Sequence, residues 1–171
     1  MIEPAGLDRG ETGNNTVQGW GLLQTTDPIG GQVILRQRVA GSPDFEGAVP
    51  LSSQSDRHYF LPFDQSNGAI TGYALANTSP GTQQALIIFH DENGAELRRA
   101  TLNFGGLAHQ AFSLSQFTEL DGKRGYAEIT VPFTGLPAAI TTSIAAMALR
   151  FNPNAPFTTF FPLILQSEKP F

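Results

Sequence analysis

One short phrase occurs three times in this chain at an even spacing. Residues 19–23 read Gly-Trp-Gly-Leu-Leu, residues 72–76 read Gly-Tyr-Ala-Leu-Ala, and residues 125–129 read Gly-Tyr-Ala-Glu-Ile. Each copy starts 53 residues after the one before it. A glycine, an aromatic residue and a small residue followed by an alternating segment, repeated at a fixed period, is typical of a repeated β unit. The repeat therefore predicts a chain assembled from similar β segments.

Turn residues divide each unit into short apolar segments. The chain contains 18 Gly and 12 Pro, scattered between these segments rather than gathered in a linker. Asp-Glu-Asn-Gly at residues 91–94 predicts a hairpin, because Asn-Gly readily adopts positive φ. One short helical turn fits residues 114–120. The pattern predicts an all-β fold, an antiparallel β-sandwich of about eleven strands with internal repeats of about 53 residues. A three-fold prism or a barrel-like β arrangement is the alternative.

At 171 residues the chain is long enough for one packed domain. We expect a polar N-terminal tail or connecting loop at 1–18, a single sandwich domain at 19–166 with units 19–71, 72–124 and 125–166, and a C-terminal tail at 167–171. The third unit ends early and leaves a strand edge without its partner. Because unpaired edges invite association, we expect residues 1–18 or 164–171 to cover this edge, or another copy to pair with it.

Charge and composition exclude several classes of function. The formal net charge is −5, and the ten Lys and Arg residues form no concentrated basic patch, so neither nucleic acid nor membrane insertion is expected. The absence of Cys excludes disulfides and thiolate chemistry. The first residues lack the basic and apolar regions of a signal peptide, so we expect none in the sequence as given.

Several phrases resemble a Gly- and Pro-rich β module found near the C-termini of predicted exported proteins of soil bacteria. The similar segments are Arg-Gln-Arg at 36–38, Leu-Pro-Phe-Asp at 61–64, Asn-Gly at 67–68, Thr-Gly-Tyr-Ala-Leu-Ala-Asn at 71–77, Asp-Glu-Asn-Gly at 91–94 and Leu-Arg-Phe-Asn-Pro at 149–153. The resemblance covers most of residues 19–165. It implies a secreted or cell-surface location and an accessory role, and it transfers no catalytic residue.

The repeated aromatics are the candidate ligand-binding residues. In the third unit Ala127, Ile129 and Val131 share one face of the predicted strand and should meet the core, so Tyr126 and Glu128 should face solvent. Equivalence between the repeats extends this expectation to Trp20 and Tyr73. Flat aromatic rings beside polar groups bind sugar rings by stacking. The predicted ligand-binding set is Trp20, Tyr73, Tyr126, Gln24, Asn77 and Glu128. The alternative is that each ring covers its own sheet structurally.

Other chemistry has weaker support in the sequence. His90-Asp91 could form an acid–base pair, but it precedes a hairpin in which Asp is a common turn residue. Asp64 and Asn67 could contribute to a calcium site, although their segment lacks the spaced carboxylates of a calcium loop. A glycosidase would need two opposed carboxylates, which a sequence does not pair. We therefore expect no catalytic residues, no metal and no cofactor.

Three function classes follow from these expectations. The first is a non-catalytic extracellular accessory module that binds a polysaccharide or other glycan through exposed aromatics. The second is a structural, adhesion or self-assembling repeat of a cell-surface protein, which associates through open strand edges. The third and least favoured is a hydrolase. An outward-facing aromatic surface would favour the first class, and buried aromatics with open edges would favour the second.

Overall fold

The computed structural model describes residues 2–9, 17–23, 25–27, 29–37, 45–50, 57–132, 144–151, 158–161 and 164–165. The strands in chain order are β1 (Ile2–Arg9), β2 (Val17–Leu23), β3 (Gln32–Gln37), β4 (Phe45–Pro50), β5 (His58–Asp64), β6 (Ile70–Asn77), β7 (Gln83–Asp91), β8 (Glu96–Phe104), β9 (His109–Ser113), β10 (Arg124–Thr130), β11 (Ile144–Phe151), β12 (Thr158–Phe161) and β13 (Ile164–Leu165). Helical structure in these residues is limited to two single 3-10 turns, Leu114–Gln116 and Thr118–Leu120. The prediction of an all-β chain is confirmed, and the one short helical turn expected at 114–120 is two 3-10 turns.

Two antiparallel sheets pack face to face. One has the strand order β13-β5-β10-β7-β8, and the other has the order β12-β11-β6-β9. β1 pairs with β2, and β3 pairs with β4, as separate two-stranded sheets. The chain crosses between the two main layers at most connections, because β5, β7, β8 and β10 belong to one layer while β6, β9 and β11 belong to the other. The predicted antiparallel sandwich is confirmed.

The core lies between the two main layers and comes from alternate residues of each strand. β5 shows the rule, since every second residue is buried while the residues between are half-exposed. The largest buried side chains of the core are Tyr59, Leu61, Tyr73, Leu75, Ile87, Phe89, Leu114, Leu120, Ile129 and Ile144. In β10 the buried residues are Ala127 and Ile129, followed by Val131 just beyond the strand, so the predicted core face of this strand is confirmed.

Tight turns close the ends of several strands. β7 and β8 form the predicted hairpin at residues 91–94, where Gly94 has a φ of 82°. The carboxylate of Asp91 accepts hydrogen bonds from the backbone N–H of Asn93 at 2.8 Å and of Ala95 at 2.9 Å. These bonds explain why Asp precedes the turn, and they leave Asp91 a structural residue rather than the partner of His90 in an acid–base pair.

The described residues form thirteen strands rather than the predicted eleven, because residues 2–9 and residues 164–165 each contribute one. Residues 2–9 form β1 along β2, so their interpretation as a tail or loop is wrong. Backbone pairing with a neighbouring strand recruits this polar segment, and hydrophobic alternation does not reveal such pairing. Near the other end, β13 pairs with the outer edge of β5, as expected of residues 164–171. Residues 10–16 of the predicted N-terminal tail and the predicted tail at 167–171 lie outside the described residues.

Candidate functional site

β10 brings an aromatic residue and an acidic residue to the outward face of the five-stranded sheet. Tyr126 and Glu128 alternate with its buried residues, and β10 lies between β5 and β7. Register places Pro62 and His90 beside Tyr126, and it places Phe60 and Ile88 beside Glu128. Residues directly opposite in neighbouring strands point to the same side of a sheet. We call the group formed by His58, Phe60, His90, Tyr126 and Glu128 the outer-face cluster.

The rings of the outer-face cluster are in mutual contact. His90 and Tyr126 stack with their centroids 4.9 Å apart and an angle of 18° between their planes. Phe60 meets Tyr126 edge to face at 5.8 Å, and His58 lies 5.0 Å from Phe60. Each of these residues is half-buried. The cluster therefore presents ring edges and partly covered ring faces to solvent, held in place by their neighbours.

Glu128 lies between the two histidines of this face. His58 Nε2 is 2.8 Å from Glu128 Oε1, which is a hydrogen bond, and His90 Nε2 is 3.5 Å from Glu128 Oε2. The Glu128 side chain remains 31% exposed, whereas that of His90 is 16% exposed. One carboxylate oxygen is thus firmly bound by His58, and the other faces a more deeply buried imidazole.

Tyr73 faces the opposite way from Tyr126, so the prediction that it faces outward is wrong. Its side chain is 1% exposed, and its hydroxyl donates to the carbonyl oxygen of Leu61 at 2.8 Å. Burial raises the pKa of the Tyr73 phenol well above its ordinary value. The residue two positions after each tyrosine explains why Tyr73 is buried and Tyr126 is not. Leu75 shares the face of Tyr73 and must be buried, whereas Glu128 shares the face of Tyr126 and must stay in water.

Asn77 is also buried and serves the local backbone. Its amide nitrogen donates to the carbonyl oxygens of Gly81 at 2.7 Å and Gly105 at 2.8 Å. Its side-chain oxygen accepts from the backbone N–H of Ser79 at 2.9 Å. Asn77 thus binds the turn after β6 to the turn after β8, and its expected position on a solvent-exposed binding face is wrong.

Trp20 is half-buried and lies far from Tyr126. Its indole N–H donates to the backbone carbonyl of Leu107 at 3.0 Å, in the turn after β8. That turn follows the end of β8 that pairs with Gln83, whereas Tyr126 pairs with His90 near the other end of β7. Gln83 and His90 are seven residues apart along β7, which corresponds to about 23 Å. The aromatics of the three phrases therefore do not form one surface, and Gln24 lies outside the described residues.

A cleft lies between β8 and β9, which end their respective sheets among the described strands. Its volume is ≈ 610 Å³, and its lining includes Arg98, Leu102, Gln110, Phe112 and Phe117. The Arg98 guanidinium lies 4.3 Å from the centre of the Phe117 ring and pairs with Glu119. The Gln110 amide donates to the backbone carbonyl of Asn103 at 2.8 Å, across the cleft. The repeat pattern gives no sign of this cleft, because it depends on which strands end the two sheets.

Asp64 occupies the segment for which a calcium site was considered. Its Oδ1 accepts from the backbone and the hydroxyl of Ser66, at 2.9 and 2.6 Å, and its Oδ2 accepts from Arg150 Nε at 2.8 Å. Burial works to raise the pKa of Asp64, but the Ser66 and Arg150 contacts outweigh it and hold the pKa below the ordinary value. Protein donors thus engage both carboxylate oxygens. Arg150 supplies the positive charge that pairs with the Asp64 carboxylate. This ion pair connects the end of β5 to β11 in the other layer.

Comparison of the chain with protein-family models, curated proteins and solved structures gave no match. The residues described above contain no group of three or more His, Cys, Asp or Glu side chains arranged to hold one metal ion. None of their helical segments has the length and apolar character to cross a membrane.

Proposed function

We propose that this chain is a non-catalytic binding module that holds a glycan on the outer-face cluster. The observation that carries the proposal is the placement of Phe60 and Tyr126 beside the carboxylate of Glu128 on one outward sheet face. A pyranose ring has an apolar C–H face and a rim of hydroxyl groups. Aromatic rings offer a large and rigid contact area for the C–H face of the sugar. The partly exposed Glu128 carboxylate accepts hydrogen bonds from the sugar hydroxyl groups.

Preorganisation supports this assignment. The Tyr126 ring is stacked on His90 and touched by Phe60, so little side-chain freedom remains to be lost when a ligand binds. His58 fixes one oxygen of Glu128 in the same way. We further propose a secreted or cell-surface location for the module, on the resemblance of residues 61–64, 71–77 and 91–94 to exported β modules.

A structural or self-assembling module is the second candidate function, and two observations favour it. Tyr73 is buried in the core, and the Trp20 indole bonds to the turn after β8, so two of the three repeated aromatics serve internal contacts. β8 and β9 also end their sheets among the described strands. In this case the repeat would preserve an architecture rather than a ligand surface.

Retention on insoluble polysaccharides, followed by a glycan array, distinguishes the two candidates. We expect Tyr126→Ala and Glu128→Gln to lose retention, and Tyr126→Phe to keep most of it because the ring remains. Phe112→Ala, which removes a half-buried ring from the cleft, is the matched control and should bind as the wild type does. Circular dichroism and thermal melting establish that each variant is folded.

Retention that survives Tyr126→Ala and Glu128→Gln in folded protein would move the site elsewhere. A wild-type chain that retains no glycan yet sediments as a concentration-dependent oligomer would favour the structural candidate.

A further inference from the structure

The position of the His90 ring fixes which of its nitrogens carries a proton. Nδ1 lies 3.2 Å from the backbone carbonyl oxygen of Gly94. A carbonyl oxygen only accepts hydrogen bonds, so Nδ1 must donate. Stacking on Tyr126 prevents the ring from turning freely. A neutral His90 therefore has its hydrogen on Nδ1 and a lone pair on Nε2.

That lone pair faces a carboxylate. His90 Nε2 is buried, makes no hydrogen bond within the described residues, and lies 3.5 Å from Glu128 Oε2. A neutral imidazole nitrogen and an ionised carboxylate oxygen both only accept. Two acceptors that face each other in a partly buried position need a shared partner between them, which is a proton on Nε2, a water molecule that donates to both, or a metal ion.

The separation of the two atoms fits a metal ion. Zinc bonds to His nitrogen and carboxylate oxygen are about 2.0–2.2 Å long, so two ligands at a tetrahedral angle lie about 3.4 Å apart. The observed separation is 3.5 Å. The Gly94 carbonyl on the other ring nitrogen is the partner that metal-binding histidines usually have.

His58 has a different relation to the same carboxylate. Its Nε2 lies 2.8 Å from Glu128 Oε1, which is a hydrogen-bond distance. His58 therefore donates to Glu128 and orients the carboxylate so that Oε2 points at His90. His58 thus contacts the carboxylate and is not itself a ligand, and the described residues contain no three such side chains arranged around one ion.

We propose that His90 Nε2 and Glu128 Oε2 bind a divalent transition-metal ion of the zinc type, with His58 as the positioning residue. Imidazole nitrogen and carboxylate oxygen together suit Zn²⁺ and its neighbours better than Ca²⁺ or Mg²⁺, which prefer oxygen alone. Two protein ligands leave at least two tetrahedral positions to water, so the ion should exchange readily. The site shares Glu128 with the proposed glycan surface, but zinc binding requires no glycan and is measured without one.

Nitrogen-15 NMR of the untagged wild-type chain tests the inference without any mutation. In metal-free protein at pH 8 we expect His90 in the Nδ1–H form and His58 in the Nε2–H form. Addition of zinc chloride should shift the His90 Nε2 resonance and leave that of His109 in place. A His90 that carries its proton on Nε2 at pH 8, or one that zinc does not shift, would overturn the proposal.

Calorimetric titration with zinc chloride then assigns the ligands. We expect His90→Ala and Glu128→Gln to abolish zinc binding, and His58→Ala to weaken it about tenfold or more, as for loss of a residue that orients a ligand. His109→Ala is the matched control, because it removes a histidine from the cleft on β9, and it should bind zinc as the wild type does. Equal zinc affinity in the His90→Ala and wild-type chains, both folded by circular dichroism, would also overturn the proposal.

Discussion

The aromatic residues of the second and third copies of the repeated phrase lie on opposite faces of their sheets. Tyr73 of β6 points into the core, whereas Tyr126 of β10 points out of the sandwich, although each follows a glycine and precedes an alanine. A strand has a period of two, so the rest of its sequence decides which alternate set is buried. Burial of Leu75 places Tyr73 in the core, and hydration of the Glu128 carboxylate keeps Tyr126 on the outer face. A repeated phrase therefore specifies a strand without specifying the face of its aromatic residue.

Truncation of the two tyrosines should show the largest difference between the copies. Tyr73→Ala removes a fully buried ring and should lower the free energy of unfolding by about 3–5 kcal/mol. Tyr126→Ala removes a half-buried ring from the surface and should cost about 1 kcal/mol or less. Urea denaturation followed by circular dichroism measures both. Equal losses in the two variants would contradict the assignment of faces.

The glycines of the two phrases should also respond differently. A Cβ at Gly125 would collide with the backbone carbonyl of His90, which cannot move without disturbing the β7–β10 pairing. At Gly72 a Cβ would lie 3.6 Å from the Phe112 carbonyl oxygen and from the Phe151 ring, which is ordinary contact. Gly125→Ala should therefore lower stability by about 1–3 kcal/mol, as overpacking does.

Gly72→Ala is the matched substitution and should stay close to wild type in melting temperature. Differential scanning calorimetry of the two alanine variants gives the comparison directly. A larger loss at Gly72 than at Gly125 would contradict the close approach of the His90 backbone to Gly125.

Alkaline titration should separate the buried tyrosine from the rest of the protein. The pKa of Tyr73 is raised in the folded state, so folding favours its protonated form. Its contribution to stability is complete below the unfolded-state pKa, about 10, and is lost as the pH rises towards the folded-state value. Tyr73→Phe should make unfolding less dependent on pH above that point. Urea midpoints measured at several alkaline pH values provide the test.

Asp64 touches both copies, and its acid titration should give the smallest effect. The Thr71 hydroxyl, just before Gly72, donates to the Asp64 carbonyl oxygen at 2.8 Å, and Arg124, just before Gly125, pairs with Asp64 in register. Because the folded-state pKa of Asp64 is depressed, its contribution is present above the unfolded-state pKa and is lost as the pH falls through the folded-state value.

Replacement of this carboxylate should remove that acid dependence. Asp64→Asn should lower stability at neutral pH by about 1 kcal/mol, as for a partly exposed ion pair, and the difference from wild type should shrink in acid. Thermal melts between neutral and acidic pH measure the difference. A difference that grows as the pH falls would contradict the direction of the pKa shift.

Local patterns predicted much of the fold, and pairing between distant strands accounts for what they missed. Turn residues and alternation located most strands, the Asn93-Gly94 hairpin and the buried face of β10. The position of Tyr73 could have been predicted from Leu75, because the larger apolar set of a strand is the one that packs.

The outer-face cluster could not be predicted in the same way. The sequence indicated that Glu128 faces outward, but not that β5 and β7 flank β10. His58 and His90 approach Glu128 only through that strand order. The first strand was missed for a similar reason, since a polar segment gains its hydrogen-bond partners from β2 rather than from its own sequence pattern.

The alternation of the chain between layers has a consequence for the order in which the protein folds. The β7–β8 hairpin closes over a few residues and can form as soon as it leaves the ribosome. β5 must wait for β10, which begins some sixty residues later in the chain, and β6 gains one neighbour with β9 and the other with β11. Contacts between residues so far apart in sequence slow folding to about milliseconds or longer. The nascent chain therefore carries two apolar strands with exposed edges until their partners are made, and β9, β10, β11 and β13 cover those edges in turn.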